Sequence, residues 1–522
     1  MTTLVANGTI VDGTGAEPFA GSVLVSGERI ADVLRGPLPP GLEADRTVDA
    51  GGCLVTPGFI DAHAHSDAYL VLEPQAPSKV SQGVTTEVNG QCGGSVAPRY
   101  GQARLSSDWA ALLGERLTWR SLAEYRAVLE AARPAINTVQ FVGHNTLRSS
   151  VVGYAARPAT ADELRGMERL LAASLDEGAR GLTTGLIYQP GRYSTPEEVT
   201  ALAKVAAAKG ALYATHMRSE GDRIEEAIDE VLALVRETGI RAEISHLKTS
   251  ARRNWHKIDA VLAKVGRAVE EGLLLGSDRY PFCAAGTDLD VVLPDWAQEG
   301  AAPAECRRLA DPALRARLVA ELDDCGRDWD EVMVGGTWSE ATRRYSGETV
   351  AALVRRGEAP SAGELVCRIL ERDGCKMGAF FFGMSEANLM KILSQPWIVP
   401  GSDASLRAPW GPLGADHPHP RAYGTMPEFN RRLRELGVPL AARVARMTGV
   451  PARRFGLGGR GELRRGAYAD LAVWREEEFA SVATYDRPHQ FARGVRLTMV
   501  NGAIPYRDGV FTDERQGRFL DG

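Results

Sequence analysis

The chain lacks the features that would place it in a membrane, on a nucleic acid or in an oxidising compartment. No apolar run is long enough to span a bilayer. The start, Met1-Thr-Thr-Leu-Val-Ala-Asn-Gly8, has no basic segment ahead of an apolar core, so no signal peptide is expected. No block of like charge stands out. The 61 basic and 67 acidic residues leave a formal charge of -6, and no surface is marked out for a phosphate backbone or an anionic lipid. Seven cysteines in 522 residues do not make a disulfide framework. The expectation is a cytoplasmic protein with a small-molecule partner, and with neither nucleic acid nor membrane. Histidine is also scarce, nine in all, which makes its placement informative.

Hydrophobic residues make up 44% and charged residues 25%, ordinary globular usage. The middle of the chain alternates buried-type strands with amphipathic helices. Thr195-Pro-Glu-Glu198 predicts a helix start with a capping box and proline at the first helical position, running to about Gly210. Strand Ala211–His216, a helix from Asp222 to Glu237, strand Arg241–His246 and a helix near 258–271 follow. This rhythm predicts a parallel sheet covered by helices. Seven strands are placed near 54–62, 84–91, 136–143, 179–184, 211–215, 241–245 and 396–402. Leu273-Leu-Leu-Gly276 and Met377-Gly-Ala-Phe-Phe-Phe382 compete for an eighth. Short strands punctuated by Val11-Asp-Gly13 and Ser26-Gly27 at one end, and around Ala469–Trp474 and Val495–Val500 at the other, predict one small β domain built from both chain ends. The expected divisions are 1–54 for its first part, 55–430 for a barrel with an insertion at about 286–350, and 431–522 for helices and the rest of the β domain.

Ligand-type side chains recur at the predicted strand ends. His63-Ala-His65 closes the first strand, and residues i and i+2 of a strand share a face. Cys92 follows the second strand, His216 and His246 end two later ones, and Asp403 follows Trp397-Ile-Val-Pro-Gly-Ser402. His144, after Val139-Gln-Phe-Val-Gly143, is a fifth strand-end histidine. In a (β/α)8 barrel these ends converge on one mouth. Mixed imidazole, thiolate and carboxylate donors suit zinc, and a thiolate can bridge two ions. No lysine ends the second strand to carry a carboxylated bridge. His256, His417, His419 and His489 fall in helix or loop contexts and are not expected to be ligands.

The segments Pro57–Asp67, Gln82-Gly-Val-Thr-Thr86 leading to Cys92-Gly93, Gly143–Arg148, Gly181–Tyr188, Thr215–Gly221, Ile244–Lys248, Gly401–Ala404, His419–Thr425 and Gly466–Val473 resemble the amidohydrolase superfamily. More narrowly, they resemble its D-aminoacylase (N-acyl-D-amino-acid deacylase) branch. The likeness spans nearly the whole chain. It implies an α/β fold, a (β/α)8 TIM-like barrel with a β-sandwich from both chain ends and an insertion over the barrel. It implies one or two zinc ions. Cys92, His216 and His246 would hold the tighter ion, and His63, His65 and Asp403 would line a weaker position. Asp403 would also be the catalytic acid and base. Lys248 and Arg421, helped by Tyr188 and Tyr280, would hold the substrate α-carboxylate, and His144 would assist the oxyanion. The implied reaction is hydrolysis of N-acyl-D-amino acids. Gln91, His256 and Met426–Phe429 depart from the usual family pattern. A hydantoinase-like or dihydroorotase-like cyclic-amide hydrolase, or a non-catalytic scaffold, are the rival readings. Cys92 and the Arg421 segment speak against the first and the full ligand set against the second.

Overall fold

The computed structural model describes residues 1–105, 107–337 and 339–522. Its centre is a barrel of eight parallel strands: Phe59–Asp61, Val84–Asn89, Asn137–Gln140, Gly181–Gly185, Leu212–His216, Arg241–Ile244, Leu275–Arg279 and Ile398–Pro400. Apart from the solvent-exposed Arg241, every residue of these strands is buried, as expected where helices cover the outer face and side chains fill the interior. The strands form two arcs. The first three make one sheet, and the short pair Val142–Gly143 leads the chain into a second sheet holding the remaining five.

Of the two candidates for the remaining strand, Leu275–Arg279 takes the place, pairing with Ala242–Ile244 and with Ile398–Pro400. Gly378–Phe381, although more apolar, runs antiparallel to Ala285–Asp288 and Val332–Val334 in a small separate sheet. That sheet and the helices around it bury their own apolar cluster, from Leu289 and Val292 to Met377 and Ala379. The segment 286–350 lies within this unit, and the cluster continues beyond it.

Helix boundaries follow local chemistry. Ala161–Asp176 starts on Thr160 with a reciprocal capping box to Glu163. Ile224–Thr238 stops at Gly239, whose φ of 65° is the left-handed conformation that glycine accepts without a Cβ clash. Helix Pro196–Ala208 begins on Thr195, whose hydroxyl accepts from Glu198 N at 3.3 Å. The Glu198 carboxylate does not turn back to the cap; it is engaged by His144 and Arg148. Strands from both chain ends form a single nine-stranded sheet in which Thr9–Ile10 pairs with Leu54–Val55 and Leu54–Pro57 pairs with Leu471–Trp474. One face buries Val5, Ile10, Val23, Leu471, Met499 and Ile504 together. Among the described residues no helix is long and apolar enough to cross a membrane.

Candidate metal centre and cleft

The parallel strands aim their C-terminal ends at one mouth, and six of the predicted donors meet there. His63, His65, Cys92 and Asp403 form one group, and Cys92, His216 and His246 form a second; within each, one donor atom per residue lies within 4.8 Å of all the others. Cys92 belongs to both. Its Sγ is 3.3 Å from His63 Nε2 and 3.3 Å from His246 Nε2. Asp403 Oδ1 is 3.0 Å from His65 Nε2 and 3.4 Å from His63 Nε2.

Cys92 (φ 53°), His246 (φ 36°) and Asp403 (φ 49°) all adopt left-handed backbone conformations that non-glycine residues rarely take. Such conformations persist where packing over-determines them. Around Cys92 that packing is tight. A Cβ on Gly185 would lie 2.0 Å from the Cys92 carbonyl oxygen, and one on Gly143 would lie 2.2 Å from that of Gly93. The thiol loop is thereby seated against the third and fourth strands.

Carboxylates orient the imidazoles from behind. His63 Nδ1 is 3.2 Å from Asp278 Oδ2, while Asp278 Oδ1 accepts the main-chain NH of His246 at 3.0 Å. His246 Nδ1 lies 2.9 Å from Glu220 Oε1 and 2.8 Å from Lys248 Nζ. A partner on Nδ1 leaves Nε2 directed at the cluster, the arrangement that fixes a ligating histidine. Asp278 and Glu220 are functional positions that the sequence reading missed. Glu220 stands four residues after His216 inside Thr215–Gly221, a signal that was legible. Asp278 was hidden because its strand had a rival.

The electrostatics favour a cation. Burial opposes ionisation of Cys92, but the positive charge of His63 and His246 outweighs it and holds the thiol well below its ordinary value. Burial likewise opposes the Asp403 carboxylate, and Arg421 and His246 pull it well below the usual range. Burial lowers the imidazoles in turn. Even so, the surrounding anions drive His65 up to about 9 and His246 to about 10. His216 is buried with neither ring nitrogen hydrogen-bonded among the described residues, which is costly unless a ligand takes one of them. A thiolate, four imidazoles and a carboxylate in a buried pocket that attracts positive charge fit zinc.

A cleft of about 410 Å³ opens above the cluster, bordered by His65, Cys92, Tyr188, Phe380, Asp403 and Arg421. The small sheet of the insertion therefore forms part of its wall. Arg421 places Nη1 2.8 Å from Asp403 Oδ2, donates from Nη2 to Gly286 O at 3.1 Å, and lies over the Tyr280 ring at 4.6 Å. Lys248 is paired with Glu220. Tyr188 packs its ring 4.9 Å from that of His216. The Tyr280 hydroxyl and Arg421 Nε are buried and have no hydrogen-bond partner among the described residues. His144 does not join them. Its Nε2 is 2.8 Å from Glu198 Oε1, and it does not border the cleft. The carboxylate expected to cap the neighbouring helix instead holds this histidine in the packing between helices.

This chain belongs to the amidohydrolase family, whose profile matches residues 46–506. Within that family it is similar over its full length to two curated deacylases. It is 36% identical to an N-acyl-D-glutamate deacylase of Alcaligenes xylosoxydans xylosoxydans, over 99% of this chain and 96% of the relative. It is 33% identical to a D-aminoacylase of the same organism, over 99% and 97%. Among solved structures, the N-acyl-D-glutamate deacylase of Bordetella bronchiseptica, complexed with zinc and a phosphonate mimic of the tetrahedral intermediate, superposes with a TM-score of 0.83. That match has 34% identity and covers 100% of this chain and 99% of that one.

Proposed function

We propose that the protein is a zinc-dependent deacylase that hydrolyses the linear amide of N-acyl-D-amino acids to a carboxylic acid and a free D-amino acid, and that it acts in the cytoplasm. The observation that carries this reading is the pair of donor groups sharing Cys92 Sγ at the mouth of the barrel. The full-length likeness to two D-specific deacylases supports the substrate class.

Cys92, His216 and His246 would hold the essential ion, with His63, His65 and Asp403 lining a second position. Zinc held there supplies a Lewis acid for the amide carbonyl and acidifies a water to a pKa of about 7. Asp403 carries the proton. Ionised, it accepts one from the attacking water and returns it to the amide nitrogen as the C–N bond breaks, so a single carboxylate is base and then acid. The α-carboxylate is held by Lys248 and Arg421 with Tyr188 and Tyr280. Arg421 Nε and the Tyr280 hydroxyl are unpartnered donors beside one another, and the guanidinium suits a carboxylate.

The test is metal analysis together with a screen of N-acetyl and N-formyl D- and L-amino acids. The expected result is bound zinc and D-selective release of the free amino acid, abolished by chelation and restored by zinc. Turnover of hydantoins without acyl-amino-acid turnover would replace this reading with the cyclic-amide one. A narrower prediction concerns the carboxylate. Tyr280→Phe should raise KM about tenfold, the equivalent of a hydrogen bond to a charged group worth about 1.5 kcal/mol, and leave kcat nearly unchanged. Steady-state kinetics check it. Equal losses on an acyl amino amide, which lacks the carboxylate, would show that the hydroxyl does something else.

A further inference from the structure

The barrel has a seam. Strands Phe59–Asp61 and Ile398–Pro400 are neighbours but belong to different sheets. Main-chain hydrogen bonds across it are few: Ala62 N to Pro400 O at 3.0 Å, Asp403 N to His63 O at 2.8 Å and His65 N to Ala404 O at 3.3 Å. The group His63, His65, Cys92 and Asp403 straddles this seam. The other two histidines do not. His216 and His246 follow adjacent strands of the continuous six-stranded sheet, and the Cys92 loop is tied to that sheet through Gly93 N to Thr183 Oγ1 at 3.3 Å.

Under the seam lies a buried ion cluster whose charged side chains neither border the cleft nor hydrogen-bond a donor side chain. Lys79, from the short helix Pro77–Val80, is 1% exposed. Its Nζ is 2.9 Å from Asp61 Oδ2 and 2.6 Å from Glu87 Oε1. It also donates to Ser402 Oγ at 3.1 Å and Ala404 O at 3.2 Å. Asp61 Oδ1 accepts from Ser402 N at 2.8 Å and from His63 N at 3.3 Å. Ser66 Oγ donates to Glu87 at 3.0 Å and accepts from Leu406 N at 2.8 Å. One cation thus ties the paired first and second strands to the segment after the eighth, where main-chain bonds are few.

We propose that Lys79, with Asp61 and Glu87, sets the separation of His63 from Asp403 across the barrel seam, and so controls the affinity of the metal position they line independently of the Cys92–His216–His246 position. Lys79 is a positioning residue in this role. Without its charge, two buried carboxylates are left uncompensated and repel. Asp61 and Glu87 lie on the first and second strands, and what is lost to the eighth is the bridge from Lys79 to Ser402 Oγ and Ala404 O, which leaves His63 and Asp403 free to part across the seam. Ile398–Pro400 is the edge strand of the six-stranded sheet, and Leu275–Arg279 stands between it and the adjacent strands of His216 and His246, which keep their own pairing. The inference rests on the metal assignment above.

The experiment is zinc titration of the full chain against a chromophoric chelator, in the wild type, Lys79→Met and Ser402→Ala, with His65→Ala identifying the binding step that belongs to the seam. In Lys79→Met the seam step should weaken about 10- to 100-fold, the usual effect of removing support behind metal ligands, while the other step is unchanged. Ser402→Ala leaves the ions in place and deletes the Ser402 Oγ contacts with Lys79, with the His63 carbonyl at 3.3 Å and with the Ala404 main chain. It should move the same step in the same direction by less, and it decides the matter if Lys79→Met does not fold. Equal weakening of both steps, as simple destabilisation of the barrel would produce, overturns the proposal, and so does no change in either. A wild type with one zinc step that ignores His65→Ala overturns it while leaving a one-zinc deacylase standing. A wild type that binds no zinc overturns the metal reading itself.

Discussion

Asp403→Asn should lose about 10³-fold or more in kcat while retaining zinc at Cys92, His216 and His246. The amide has nearly the shape of the carboxylate but cannot accept a proton, and general acid–base catalysis contributes about 10²–10⁴-fold. Here one group is asked to act twice, so the loss should sit toward the upper end. Asp403 is already held ionised by Arg421 and His246 against the effect of burial, which is the state a base must start from. The three donors of the tighter group are other residues, so metal retention and turnover should separate. Turnover with zinc content measured on the same preparation checks this. Substantial activity in the zinc-loaded variant would remove Asp403 from the proton-transfer role.

Cys92→Ala should have the largest effect on metal, because its Sγ is the one donor common to both groups. Four-ligand zinc sites hold their ion with about 10–16 kcal/mol. Losing one donor of such a set should cost about 3 kcal/mol, or roughly 10²-fold in affinity. Both binding steps should weaken, whereas His65→Ala should affect only one. Chelator competition reads both steps directly. Affinity should also fall on acidification in the wild type and in every variant, since thiolate and imidazole bind metal only when deprotonated. If Cys92→Ala weakens a single step, the thiolate does not bridge.

Much of the site was legible because its donors stand at the ends of strands whose pattern is local. His63 and His65 follow a buried run, and His216 ends one strand and His246 follows the next, on either side of helix Ile224–Thr238. What escaped was set by long-range pairing. Leu275–Arg279 carries three polar residues at its end nearest the site, so only its leucine-rich start enters the apolar pattern, as one of two unranked candidates for the eighth strand, and Asp278 behind His63 lies beyond it. Met377–Phe382 is the rival candidate strand. It does form a strand, but in the insertion's own sheet rather than in the barrel. His144 satisfies the strand-end pattern, and its contact with Glu198, 54 residues away, is not visible in the local sequence. Lys79 gave no signal, since nothing local distinguishes a lysine destined for burial from one in solvent.

By itself the sequence determined the kind of protein this is. The alternation of strand and helix periods, the nine sparingly used histidines and the single cysteine after the second strand specify a barrel with a zinc-type donor set, because period and donor chemistry are properties of adjacent residues. Only the tertiary structure decided which strand completes the barrel, that one thiol stands between His63 and His246, which carboxylate backs each imidazole, and that a buried lysine bolts the seam. These are contacts between residues tens to hundreds of positions apart, and closure of the barrel is what brings them within reach.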